Sequence, residues 1–192
     1  MIDTNEFTIK GNSNLIGFNY DICNTKTDEI VGYAKEEEPS NFVKILRFML
    51  HRTLLPIKIK VFDKNRNICF LLTKNFGSDQ LRIYDQNFQY LGYLYKSDFV
   101  LEEGFEAFDH LDHRIAKITG GWKGKFFRIM DRDGKEIGSI NKQWFGPLIQ
   151  IVNFTCDYYV TIDSKENASL FDRMLIIGAV IGIDILFTNA PF

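Results

Sequence analysis

No stretch of the chain carries a run of basic residues, and 23 Lys and Arg against 25 Asp and Glu leave a net charge of -2. Nucleic acid, which proteins hold chiefly through its phosphates, is therefore not an expected partner. Cysteine is scarce: Cys23, Cys69 and Cys156 are odd in number and far apart, which excludes a disulfide framework and paired metal-ligand spacing and leaves reduced thiols as the expectation. Proline is limited to four residues and no segment is of low complexity, so disorder is excluded on composition. The sequence contains no G-x-S-x-G elbow, no H-E-x-x-H and no phosphate-cradling loop with its lysine, so no catalytic constellation points to an enzyme. Residues Met1 to Gly11 are polar and acidic with no apolar h-region, which argues against a secretory signal and makes a cytosolic address the default. Nor is there an apolar run of the roughly 20 residues that a spanning helix needs. The longest, Met174 to Phe187, has 14 residues, with Asp184 near its end and no basic flank after it.

What the chain does have is apolar mass: 45% hydrophobic residues, with 18 Phe and 8 Tyr among them. Over 192 residues that suffices for one domain with a large core, taken as 1-192. A unit recurs along it: a short alternating apolar strand, an Asp, a few polar residues, then a second apolar strand often containing Gly. The copies pair Gly17–Asp21 with Glu29–Tyr33, Ile57–Asp63 with Asn67–Leu71, Leu81–Asp85 with Tyr90–Leu94, Phe105–Asp109 with Arg114–Ile118, and Phe126–Asp131 with Glu136–Ile140. An Asp at a strand end caps a tight turn through its own carboxylate, so each copy reads as a hairpin. Ile149–Phe154 and Tyr158–Ile162 read as one more pair. About twelve strands is more than a flat sheet carries without curling, so the expected fold is mainly β (α+β), an antiparallel barrel closed from successive hairpins.

Two segments break the rhythm. After Ser40, an N-cap residue type, Phe42, Ile45, Leu46, Met49 and Leu50 recur at helical spacing, with Lys44, Arg47 and His51 on the other side; this is a short amphipathic helix over 41 to 51, expected to pack its apolar side on the barrel. The second segment, about 167-187, is apolar all round and must be enclosed by protein. Gly178 and Gly182 thin one of its faces for close approach. A barrel filled by this helix satisfies both constraints.

The residues then carry a resemblance. Gly138, Ile140, Lys142, Trp144 and Gly146 fit the pattern G-x-I-x-K-x-W-x-G of the phospholipid scramblase family, and Gly178-Ala179 followed by Ile183-Asp184 fits that family's terminal helix. Tyr20-Asp21, Ile30 to Gly32, Glu36, Pro56 and Phe62-Asp63 follow in the family's order, so the chain resembles a scramblase-related, Tubby-like domain over nearly its whole length. The resemblance, shared with LURP-one-related proteins, implies a twelve-stranded barrel around a hydrophobic helix. It also implies non-enzymatic work on phospholipid, by binding or scrambling, at a membrane surface that a cytoplasmic protein meets peripherally. The expected state is a monomer. The alternative is a soluble interaction or regulatory domain with the same fold.

Animal scramblases place an acidic calcium segment before the last helix. The matching residues here are Asp157, Asp163 and Glu166, which leave most of calcium's about six to eight oxygens to carbonyls and water. The loop bearing Trp122, Lys123 and Lys125 offers an aromatic and two cations to a lipid headgroup, or is a β turn; Lys44 and Arg47 offer the same from the amphipathic helix. Asp131-Arg-Asp133-Gly134 opens like an EF-hand loop, yet position 12 is Lys142, and a hairpin turn accounts for it. Asp109-His110-Leu-Asp112-His113 has metal-ligand types, again at a hairpin turn. Asp184, in an apolar helix, must be paired or sit at a barrel mouth.

Overall fold

The computed structural model describes residues 4–12, 17–47, 49–50, 52–99, 102–121, 125–143, 156–163 and 169–186. Alternation of apolar and polar residues puts most of these in twelve strands. They are β1 (Glu6–Gly11), β2 (Asn19–Asn24), β3 (Ile30–Glu36), β4 (Ile57–Asp63), β5 (Ile68–Lys74) and β6 (Gln80–Asp85), followed by β7 (Tyr90–Phe99), β8 (Glu102–Asp109), β9 (Arg114–Gly121), β10 (Phe126–Asp131), β11 (Glu136–Gln143) and β12 (Asp157–Ile162). Every strand pairs antiparallel with its neighbours in sequence, and β1 pairs with β12 to close the barrel. Inward residues such as Ile59, Phe70, Leu72, Ile83 and Ile129 form one apolar core. The outer wall carries charged pairs such as Lys60 with Glu37 and Arg114 with Glu106, the reverse of a barrel that spans lipid with its strands.

Four hairpins share one turn. The Oδ1 atoms of Asp63, Asp85, Asp109 and Asp131 each accept two backbone N–H groups, two and four residues on, at 2.8–2.9 Å. The fourth residue of each turn (Arg66, Phe88, Asp112, Gly134) has a positive φ between 61° and 80°. The register slips beside each turn, as expected when a type I turn is followed by a left-handed residue. The first hairpin departs from expectation. Asp21 lies within β2, and the turn begins at Asn24, whose Oδ1 accepts from Lys26 N and Thr27 N. Glu6–Gly11, read only as a polar terminus, is the strand that completes the ring. It occupies one edge of β12 and β11 the other, while 149–154 lie outside the described residues.

The axis of the barrel is α2 (Leu170–Leu186), buried continuously from Met174 to Leu186. Ser169 and Asp172 cap its start reciprocally, each side chain accepting the other's backbone N–H. Arg173 ties that end to the start of β1 through Thr4 O and Asn5 Oδ1. A Cβ on Gly178 would sit 3.2 Å from Leu72 Cδ2, and one on Gly182 would sit 3.0 Å from Phe105 Cζ, so the glycines set how closely the helix approaches the wall. Among the described residues, no helix is long and apolar enough to cross a membrane.

Candidate functional site

Antiparallel closure gives the barrel two unlike ends. The five short hairpin turns and the start of α2 lie at one. The opposite end collects the connections from β1 to β2, β3 to β4, β5 to β6, β7 to β8, β9 to β10 and β11 to β12, and we call it the loop end. Among the described residues, Lys44, Arg47, Lys125, Lys142 and Asp157 flank it.

The connection from β3 to β4 holds α1 (Asn41–Leu46), capped by Ser40, whose Oγ accepts from Val43 N at 3.4 Å. It is shorter than the expected 41 to 51, and a separate 3-10 turn follows at Arg52–Leu54. Its orientation is also the opposite of the expectation. No residue of α1 is buried, and Phe42, Ile45 and Met49 are 69%, 60% and 75% exposed. The reason is an ion pair: the Arg47 side chain, 8% exposed, meets Glu36, 3% exposed, at the end of β3, and Glu36 Oε2 also accepts from Phe18 N at 3.0 Å. A buried carboxylate needs such partners, and satisfying it turns the basic side of α1 inward and its apolar side out. Arg47 is thus engaged with protein. Lys44 pairs with Glu38 at 2.7 Å on the surface. Leu54 and Phe76 are also exposed at this end, their segments joined by Gly77 N donating to Leu54 O at 2.8 Å.

Beside α1 the outer wall of β2, β3 and β4 forms a cleft of about 460 Å³ lined by Phe18, Asn19, Lys35, Glu38, Lys60 and Phe62, among others. Asn19, Lys35 and Lys60 stand opposite one another on three adjacent strands. Lys58 and Lys60 share the Glu37 carboxylate at 2.7 and 2.6 Å, which holds Glu37 below the usual carboxylate pKa. None of Asn19, Lys35, Glu38 and Lys60 was singled out by motif; outward lysines at alternate positions of β4 were the available signal. Under the same end, inward-facing Lys74 donates to Leu55 O and Asn75 O, and burial lowers its pKa from 10.5 to about 8.

The described signature residues lie in the barrel wall and its axial helix. Gly138 lies against β12, where a Cβ would meet Thr161 O at 2.6 Å, and Ile140 is fully buried. Lys142 Nζ sits 5.6 Å from the centre of the Tyr158 ring, its cross-strand neighbour. The hydroxyls of Tyr158 and Tyr20 donate to Asp184 Oδ1 and Oδ2 at 3.0 and 2.9 Å. Burial, then the Asp184 charge, push the Tyr158 hydroxyl well above its ordinary pKa. Asp184 is thus paired, as the cost of a buried carboxylate requires, and the strand signature touches the helix signature through Tyr158. Trp144 and Gly146 lie outside the described residues, as do Trp122, Lys123 and Glu166; Lys125 is exposed at the loop end.

Asp157 and Asp163 flank the two ends of β12, on the order of 20 Å apart at about 3.3 Å per residue, so these two cannot share one ion. Burial raises the Asp157 pKa. Among the described residues no three His, Cys, Asp or Glu side chains converge on a metal position. His113 and Asp109 belong to their hairpin turn, with Nδ1 3.3 Å from Oδ2.

A family model described as Scramblase matches residues 16–189. No curated protein matches the chain. A crystal structure of a protein from Arabidopsis thaliana is 13% identical, with 90% of this chain and 91% of that chain covered and a TM-score of 0.46.

Proposed function

We propose, from the premise that the chain belongs to the scramblase family, that it works without covalent chemistry on phospholipid at a membrane surface, docking by the loop end of the barrel. One observation carries the reading: Phe42 and Ile45 on α1, a helix with no buried residue, and Met49 shortly after it are exposed apolar side chains at the same end of the barrel as the exposed Leu54 and Phe76. The most apolar segment, α2, is enclosed by the barrel and is not the part offered to lipid. An exposed apolar group rimmed by charge suits an interface. At roughly 1.5–3 kcal/mol per side chain, inserting the three would contribute on the order of 5 kcal/mol, enough for reversible attachment of a peripheral protein.

Flotation with liposomes of neutral and of anionic phospholipid, with and without calcium, tests this. The wild type is expected to rise with the vesicles, and a Phe42→Ser, Ile45→Ser, Met49→Ser variant to stay behind with its melting temperature unchanged. Co-flotation of that variant to the same extent would remove α1 from the contact, and failure of the wild type to float with any vesicle would end the lipid reading. Docking on a protein is the second reading, supported by the exposed Phe88 and Leu111 at the hairpin end.

A further inference from the structure

The outer cleft beside α1 holds an arrangement that strand packing alone does not require. Lys35 and Lys60 stand directly opposite each other across β3 and β4, and like charges so placed repel. Glu37 offsets Lys60, whereas Lys35 has no ion pair within 4 Å among the described residues and is met only by the longer-range attraction of Glu38. Asn19 extends the row onto β2; with strands about 4.8 Å apart, the three donor side chains span roughly 10 Å. An anion seated over the row would relieve the repulsion and accept from all three. The cleft also carries negative charge: Glu38 lines its α1 side, and only one of its oxygens contacts Lys44. Phe62 supplies an aromatic wall. Its volume of about 460 Å³ lies in the range of about 300–1,000 Å³ typical of small-ligand sites.

We infer that this cleft is a headgroup site for an aminoalcohol phosphodiester, with Lys35, Lys60 and Asn19 on the phosphate and Glu38 on the ammonium. A polyphosphorylated headgroup is disfavoured by the Glu37 and Glu38 carboxylates. Two links join the cleft to α1, Glu36 with Arg47 and Glu38 with Lys44, so a seated headgroup lies beside the apolar face that meets the bilayer. The inference rests on the proposed membrane reading and adds the class of lipid recognised.

Titration of the full chain with glycerophosphoethanolamine, and separately with inorganic phosphate, tests it by calorimetry or amide chemical shifts. The wild type should bind glycerophosphoethanolamine more tightly than phosphate. Lys35→Gln, at an exposed position that leaves the fold intact, should weaken binding about tenfold or more, the usual loss for a charged hydrogen bond. Glu38→Gln should abolish the preference for the aminoalcohol while keeping phosphate affinity. No binding by the wild type, or equal binding by Lys35→Gln, would overturn the site; equal affinity for inorganic phosphate would make it a plain anion seat and overturn the headgroup assignment. The serine variant of α1 separates the two proposals: it should still bind glycerophosphoethanolamine in solution while losing vesicles. Headgroup binding without flotation would defeat the membrane reading and leave the cleft standing, and flotation without headgroup binding would do the reverse.

Discussion

Removing a single hydroxyl tests what holds α2 in the barrel. Tyr158→Phe deletes the donor to Asp184 Oδ1 but keeps the ring that packs in the core and lies under Lys142. The carboxylate is 5% exposed, so water cannot replace the lost donor freely. A hydrogen bond to a charged group contributes about 1.5–3 kcal/mol, and stripping a donor from a buried acceptor falls at the upper part of that range. For a domain of this size each kcal/mol moves the melting temperature by roughly 2–4 °C, so a drop of about 4–10 °C is expected. Tyr20→Phe removes the donor to Oδ2 and should cost a similar amount. The double variant should show coupling, because the two hydroxyls serve one carboxylate. Urea unfolding followed by near-UV circular dichroism reads all three. A Tyr158→Phe cost below about 0.5 kcal/mol, with additive behaviour in the double variant, would refute the reasoning, since that is the scale of an ordinary surface substitution.

Lys74 gives a pH signature. Its folded pKa of about 8 lies below the ordinary 10.5, so between those values the unfolded chain holds a proton that the folded chain has released, and stability rises with pH across that window by on the order of 3 kcal/mol. Lys74→Met should abolish that rise in denaturation midpoints measured from pH 7.5 to 10.5; an unchanged rise in the variant would assign it to another group. Asp85→Ala strips two backbone N–H groups of their acceptor and should lower stability by about 1 kcal/mol, whereas Asp21→Ala, mid-strand rather than at a turn, should leave the first hairpin's amide protection intact in hydrogen exchange.

The closed barrel and its filled axis were legible because each rests on local chemistry repeated along the chain: an Asp that accepts the turn's own amides, and a run too apolar for a surface and too short to span. Glu6–Gly11 escaped notice as a strand because Phe7 and Ile9 make only a brief alternation, and because its partners, β2 and β12, include one some 150 residues away. The first turn moved from Asp21 to Asn24 because either side chain can cap, and only the pairing with β3 decides. Periodicity located the apolar stripe of α1 but not the direction it faces. That is set by Glu36, whose burial calls for Arg47 and rolls the stripe outward. The cleft was invisible for a similar reason, since Lys35 and Lys60 face each other only after the chain has passed through α1 and returned as β4.

Placing a reporter at each end of the barrel tests most directly whether the loop end meets the bilayer. Ile45→Trp and Leu111→Trp occupy sites of nearly equal exposure, 60% and 61%, at the loop and hairpin ends. With vesicles of bromine-labelled phospholipid, and the parent chain's own tryptophan signal subtracted, the emission of Ile45→Trp should shift to the blue and be quenched, while that of Leu111→Trp should stay that of an aqueous indole. Quenching of Leu111→Trp alone, or of neither, would contradict docking by the loop end.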